Sequence, residues 1–163
     1  MKKLLFPMGC ALLLVLALAG SAAAQSKSNA PLRCFADLAV SVDNPTGDWF
    51  GTVSGDIKGD IAITERDGGA LSRFPGKTQH FVEDWTIYVG GYPSAVTIRG
   101  YWEGVYNVLT TLKFRANGRV TNASPQFQRL VRHKVHAMGI TSALNPDGPV
   151  FITGQADIFI AGP

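Results

Sequence analysis

The chain has 163 residues and a formal net charge of +3, from 15 Lys and Arg against 12 Asp and Glu. Removing Lys2 and Lys3, which lie in a predicted leader, leaves 13 basic and 12 acidic side chains and a net charge of +1. This near neutrality argues against nucleic acid as a partner, because phosphate binding favours a strongly basic face. It gives equally little reason to expect an anionic membrane surface as the partner.

The N-terminus has the three parts of a secretory signal peptide. The two lysines are followed by an apolar run over residues 4–18, and the small residues after it include Ala22 and Ala24. This Ala-x-Ala spacing predicts cleavage before Gln25, since signal peptidase admits only small side chains there. An uncleaved anchor is the alternative, which the small-residue run disfavours. We therefore expect a signal peptide over residues 1–24 and a secreted or periplasmic protein with no membrane span after cleavage.

The segment after the leader is polar and contains Pro31, so residues 25–33 are predicted to be a flexible lead-in. The remaining residues, 34–163, suit a single domain with one core. Cys34 is the only thiol once Cys10 is removed with the leader. A lone cysteine in an exported protein either pairs between chains or stays free. We expect this cysteine to be a packed residue, because free cysteines are more often buried than reactive.

Most of the remaining chain alternates between apolar and polar residues. In Gln79–Val89, for example, Phe81, Trp85 and Ile87 share one face. Similar alternation occupies residues 57–64, 94–104, 108–116 and 150–160. Such a period of two indicates strands with one face in a core and the other in water.

Turn signals separate these patterns at residues 67–69, 90–91, 117–118 and 145–149. Asn117-Gly118 is the strongest of them, because Asn-Gly favours positive φ at both central positions of a hairpin turn. The sequence therefore predicts a hairpin at this dipeptide.

About seven or eight strands in so short a chain indicate a sandwich or a barrel. Glycines recur inside the strand patterns, where they relieve crowding in a tightly curved sheet. These glycines are Gly51, Gly55, Gly59, Gly100 and Gly104. The expected fold is mainly β, a single small antiparallel β-barrel with at most one short helix.

The segment 124–138 fits two interpretations. Ser124 and Pro125 suit the cap and first position of a helix, whose apolar residues then fall roughly on one face. Residues 131–137 also alternate in the manner of a strand. We expect one helical turn at Ser124–Arg129 followed by a strand, while residues 130–138 remain open to either structure.

Two resemblances to known families follow from these patterns. The first is carried by the glycine-rich strand pair Gly51–Ile63, by Phe81-x-Glu83-x-Trp85, by Gly100 and Gly104, and by Asn117-Gly118-x-Val120-Thr121-x-Ala123. With these features residues 47–160 resemble the allene oxide cyclase and dirigent-like small barrels, although no catalytic residue of those families matches a position here. Gly47-Asp48-Trp49 is similar to the Gly-x-Trp that opens the first lipocalin strand. Both resemblances imply a cavity that holds an apolar molecule.

Glu83 is the sharpest candidate for a functional residue. It has the same strand parity as Phe81 and Trp85, so regular pleating places its carboxylate on the apolar face. A buried carboxylate is costly unless it is paired or protonated, which makes a functional role worth testing. The alternative is a structural carboxylate, either near the barrel rim or satisfied by Arg99, Lys113 or backbone N–H groups.

Aromatic residues complete the predicted ligand site, in which Trp85, Trp102 and Phe114 accompany Glu83. We expect no metal site and no cofactor. His133-x-x-His136 lacks a third ligand nearby, and on a strand its two side chains would face opposite ways.

Three classes of function are compatible with this sequence. The first is a protein that binds a small apolar ligand inside the barrel, which needs no catalytic motif. The second is a cyclase or isomerase, with Glu83 as its catalytic acid or base. The third is a non-catalytic surface or protein-interaction domain. Each is compatible with a monomer or with an oligomer.

Overall fold

The computed structural model describes residues 30–41, 48–66, 78–107, 111–143 and 150–162. The predicted signal peptide over residues 1–24 lies outside the described residues. So do residues 25–29 of the lead-in and the turn signals at 67–69 and 145–149. In the part of the chain that is described, no helix is long and apolar enough to cross a membrane.

The described residues form eight strands and one short 3₁₀ helix. The strands are β1 (Leu32–Ser41), β2 (Trp49–Gly55), β3 (Gly59–Glu65), β4 (Gln79–Val89), β5 (Thr97–Tyr106), β6 (Lys113–Ala123), β7 (Lys134–Thr141) and β8 (Val150–Ile160). The 3₁₀ helix, Pro125–Leu130, lies between β6 and β7.

The eight strands form a closed antiparallel barrel in chain order. Each strand pairs with the next, and β1 pairs with β8 in a register that places Ala36 opposite Ala156. Closure leaves no unpaired sheet edge. The prediction of a small antiparallel β-barrel is therefore confirmed.

Several predicted boundaries are confirmed and others shift. The patterns at 79–89 and 150–160 coincide with β4 and β8, and the single helical turn is found next to Ser124, followed by a strand. β1 begins at Leu32, two residues before the predicted start of the domain. Residues 56–58 link β2 to β3, so the pattern at 57–64 becomes the strand Gly59–Glu65.

The hairpin predicted at Asn117-Gly118 is wrong. Both residues lie in the middle of β6, where Asn117 pairs with Glu103 and Gly118 pairs with Trp102. The β5–β6 connection instead follows Tyr106. Alternation continues across both strands, so the period-two pattern could not locate the break between them.

One end of the barrel is filled with apolar side chains. Phe127 and Leu130 of the 3₁₀ helix are buried there, together with Ile57 from the β2–β3 connection. Cys34 is also buried, 4% exposed, and this burial raises the pKa of its thiol. The expectation of a packed cysteine is confirmed.

Candidate functional site

The opposite end of the barrel contains a cavity that is partly open to solvent. Five aromatic residues line it: Trp49, Phe81, Trp102, Tyr106 and Phe114. Two carboxyl side chains, those of Glu65 and Glu83, complete the polar part of the wall together with Thr141. Among the described residues that line this cavity, none is Lys, Arg or His.

The cavity is small, at about 50 Å³. Pockets for drug-sized ligands are roughly 300–1,000 Å³. A single buried water needs about 10–15 Å³, so the space corresponds to about three to five water molecules. In this conformation it admits a compact chemical group and not a large hydrophobic ligand.

The pleat of β4 and β5 places the central side chains of the site. On β4, Phe81 and Glu83 point inward, as their shared parity predicts. On β5, Trp102 and Tyr106 do the same. Glu83 and Trp102 are direct partners in the antiparallel register, so their side chains meet at the wall of the cavity.

Several aromatic rings in this barrel lie opposite glycines on the neighbouring strand. Phe81 pairs with Gly104, and a Cβ placed on that glycine would lie 2.8 Å from Phe81 Cζ. Phe114 pairs with Gly139, whose Cβ would lie 2.6 Å from Phe114 Cε1. We call these sites glycine notches, because the missing side chain makes room for the ring.

The same relation holds deeper in the barrel. Trp85 pairs with Gly100, and a Cβ there would lie 2.2 Å from Trp85 Cζ2. A Cβ at each of these three glycines would also lie 2.0–2.3 Å from a backbone carbonyl oxygen, so the ring and the neighbouring backbone both require glycine there.

Among the described residues, the carboxyl group of Glu83 has one hydrogen-bond partner. Trp102 Nε1–H donates a hydrogen bond to Glu83 Oε2 at 2.6 Å. Burial raises the pKa of Glu83 from its usual 4.5 to about 7, while the hydrogen bond from Trp102 acts in the opposite direction. Near neutral pH, Glu83 therefore exists as both carboxylate and carboxylic acid.

Two further acidic groups lie close to Glu83. Glu65 is its register partner on β3, and its backbone N–H donates to Asp48 Oδ2 at 2.7 Å. The negative charges of Glu65 and Asp48 also raise the pKa of Glu83, because like charges disfavour ionisation. This side of the cavity is thus electrostatically negative.

A hydroxyl pair forms another polar part of the wall. Tyr106 Oη and Thr141 Oγ1 are 2.5 Å apart and share a hydrogen bond in which either group is the donor. Thr141 is buried on β7 and Tyr106 lies on β5, so each of these two strands contributes one hydroxyl group to the wall of the cavity.

The alternative partners considered for Glu83 are not its partners in the structure. Arg99 and Lys113 are both exposed on the outer face of the barrel. The nearby Arg66 pairs with Asp84, which also faces outward. The side chain that satisfies Glu83 is an uncharged indole, so the carboxylate has no cationic partner among the described residues.

Three of the four predicted ligand-site residues, Glu83, Trp102 and Phe114, line the cavity. Trp85 does not line it. Its ring lies beyond Trp102, with centroids 5.7 Å apart, and is 2% exposed. Its Nε1 has no hydrogen-bond partner in the described part of the chain.

The sequence interpretation missed several lining residues. Glu65 continues the parity of Ile61 and Ile63, so extending that strand by one residue would have found it. Tyr106 likewise continues the parity of Trp102, so extending that strand by two residues would have found it. Its contact with Thr141 had no such signal, because the two side chains meet only through the packing of β5, β6 and β7.

The histidines do not form a site. His80 and His136 are exposed, and His133 Nδ1 lies 2.9 Å from the carbonyl oxygen of Gly162. Over residues 30–41, 48–66, 78–107, 111–143 and 150–162, no group of three or more His, Cys, Asp or Glu side chains is placed to hold a metal ion.

No family model matches the chain, and neither the curated proteins nor the solved structures include a significant match. Its function is therefore inferred from the chemistry of the cavity.

Proposed function

We propose that the protein binds a small, largely apolar molecule at the open end of its barrel, with one polar group of that molecule against Glu83. The observation that carries this proposal is the carboxyl group of Glu83, with its indole partner, on the wall of a cavity lined mainly by aromatic and aliphatic residues. Sites of this kind combine apolar surface for affinity with a few polar groups for orientation. The resemblance to the allene oxide cyclase, dirigent-like and lipocalin barrels supports the same interior location.

The proposed ligand need not fit entirely inside the cavity. About 50 Å³ accommodates one compact group, while the rest of the molecule lies toward the open end. We further propose that binding takes place after export, in the periplasm or outside the cell. The sequence of residues 1–24 supports export.

The test is to purify the protein from its own host and identify co-purifying small molecules by native mass spectrometry. Ala156 lines the cavity and Gln155 faces outward on the same strand. Ala156→Leu adds bulk to the cavity, so it should reduce ligand occupancy by about tenfold or more. Gln155→Leu adds the same side chain to the outer wall and should leave occupancy unchanged. Circular dichroism checks that both variants fold.

Two results would count against ligand binding in the cavity. One is a protein that carries no small molecule from its host and takes none from a host extract. The other is a ligand that Ala156→Leu retains as fully as the unchanged protein does, which would place the ligand elsewhere.

A second candidate is a cyclase or isomerase that acts on the same kind of molecule. The raised pKa of Glu83, about 7, favours this candidate, because a group that titrates near neutral pH serves as acid or base. Conversion of the co-purified molecule into an isomer, abolished in Glu83→Gln, would support catalysis. Recovery of the unaltered molecule would support simple binding.

A third candidate is a protein-interaction surface. Four large apolar side chains, Phe35, Val105, Met138 and Ile140, are exposed on the outer wall and are between 37% and 46% accessible. Exposed apolar groups of this kind occur at protein contacts. On this hypothesis the barrel is a scaffold and the cavity has no ligand.

A further inference from the structure

The side chains around the cavity restrict the charge of the ligand's polar group. The two carboxyl groups on the wall, Glu65 and Glu83, come from neighbouring strands and are direct register partners. Asp48, whose side chain accepts from the Glu65 backbone, adds a third negative charge next to them. An anionic ligand would be repelled at this position.

The aromatic rings of the cavity favour a positively charged group. Trp49, Phe81, Trp102, Tyr106 and Phe114 line the same small space. Aromatic faces carry partial negative charge and attract cations, most strongly where water is excluded. Rings arranged around an acidic group form the kind of site that recognises alkylammonium ions.

Among the described residues, no cation competes for the side of Glu83 that faces the cavity. The partner of its carboxyl group there is the Trp102 indole, which contacts one of the two carboxylate oxygens. Arg66, on the outer face, is held by Asp84 at 2.8 Å and lies 5.2 Å from the centroid of the Tyr101 ring. Among the described residues, no side chain neutralises Glu83.

From these observations we infer that the cavity binds a small organic cation of the alkylammonium class, with its ammonium group between the aromatic rings and the carboxylate of Glu83. This inference rests on the proposed function, and it specifies the polar group of that ligand. A trimethylammonium head has about five non-hydrogen atoms including the first methylene, which agrees with a cavity of about three to five waters.

Protonation of Glu83 should make the affinity for a cationic ligand depend on pH. In the part of the chain that the structure describes, the titratable groups that face Glu83 are Glu65 on β3, Asp48 before β2 and Tyr106 on β5. A cation binds the ionised form, whereas a proton on Glu83 competes with it. Because the pKa of Glu83 is about 7, cation affinity should fall by about tenfold from pH 8 to pH 6.

The experiment compares choline with 3,3-dimethyl-1-butanol, its neutral analogue of the same shape, by isothermal titration calorimetry at pH 8 and pH 6. At pH 8 choline should bind at least about tenfold more tightly than the alcohol. Affinity for the alcohol should not change between the two pH values.

Two variants connect this preference to Glu83. Glu83→Gln should weaken choline binding by about tenfold or more, remove its pH dependence, and change the affinity for the alcohol by less than about twofold. Glu103→Gln is the matched control, because Glu103 lies next to Trp102 in sequence but is exposed on the outer face. This variant should bind both probes as the unchanged protein does.

The outcomes separate the inference from the proposed function. Equal affinity for choline and the alcohol, or tighter binding of the alcohol, overturns the inference and leaves binding in the cavity standing. Binding of neither probe by a protein that does retain a host molecule also overturns only the inference. Binding of neither probe, together with no host molecule, overturns both.

Discussion

Glu83 holds a proton more readily in the folded protein than in the unfolded chain, and this difference makes the stability of the barrel depend on pH. Its pKa is about 7 when folded, against a usual value of 4.5. Between these values the folded state binds a proton that the unfolded chain has released. The free energy of unfolding therefore falls as the pH rises through this range, by up to about 3 kcal/mol.

Glu83→Gln should remove this dependence. The amide keeps the size of the side chain, has no charge to desolvate, and still accepts the hydrogen bond from Trp102. Urea denaturation at pH 5, 6, 7 and 8 should show the unchanged protein losing about 2–3 kcal/mol relative to the variant over this range. Glu103→Gln, on the outer face, should follow the unchanged protein. Parallel pH profiles for the unchanged protein and Glu83→Gln would show that Glu83 is not desolvated.

Strand β6 shows that the structural role of a glycine depends on its position in the fold. Gly118 follows an asparagine, a pair typical of hairpin turns, yet it lies in the strand opposite Trp102. A Cβ on Gly118 would lie 1.8 Å from the carbonyl oxygen of Tyr101. The glycine is therefore required by close approach of two backbones, a tertiary contact that the local sequence does not encode.

Two alanine substitutions test this explanation. Gly118→Ala should destabilise the barrel by about 2–3 kcal/mol, because a backbone carbonyl cannot rotate away as a side chain does. Gly154→Ala is the matched control on β8, where the added Cβ would meet no atom closer than Trp49 Cζ3 at 3.4 Å, an ordinary contact. Its effect should stay within about 1 kcal/mol. Equal effects in thermal or urea unfolding would mean that the close contact at Gly118 is relieved by small shifts.

At the level of elements, the sequence predicts best where one face of a strand is mostly apolar. β4, in spite of Glu83, and β8 satisfy this condition, and their predicted bounds agree with the structure. The boundary between β5 and β6 was not predicted, since both strands alternate and the true connection after Tyr106 has no Asn-Gly signal. Strand parity alone places the side chain of Glu83 inward. That Trp102 is its hydrogen-bond partner follows only from the register between β4 and β5, which the sequence does not show.

Closure of the barrel is a property of the whole molecule, because it depends on β1 pairing with β8 at the other end of the chain. Cys34 lies on β1 and faces the interior, so its thiol is reached only when β1 separates from its neighbours. Thiol labelling thus measures opening of the barrel.

In a Cys10→Ser background, Cys34 is the only thiol of the chain. A neutral thiol reagent at pH 8 should label it at least about 100-fold more slowly in the folded protein than in urea, because burial and a raised pKa both suppress the thiolate. Phe35→Cys in a background without Cys34 provides an exposed control on the same strand. Comparable rates at the two positions would indicate that β1 opens frequently.

The glycine notches also restrict which positions of this cavity can change during evolution. Replacing Phe114 by a smaller residue enlarges the space in a single step, whereas a side chain at Gly139 is blocked even without the ring, because its Cβ would lie 2.0 Å from the backbone carbonyl oxygen of Gln155. The glycine is therefore retained when the ring is lost, and the ring can later return. Each such change in the size of the cavity is thus reversible.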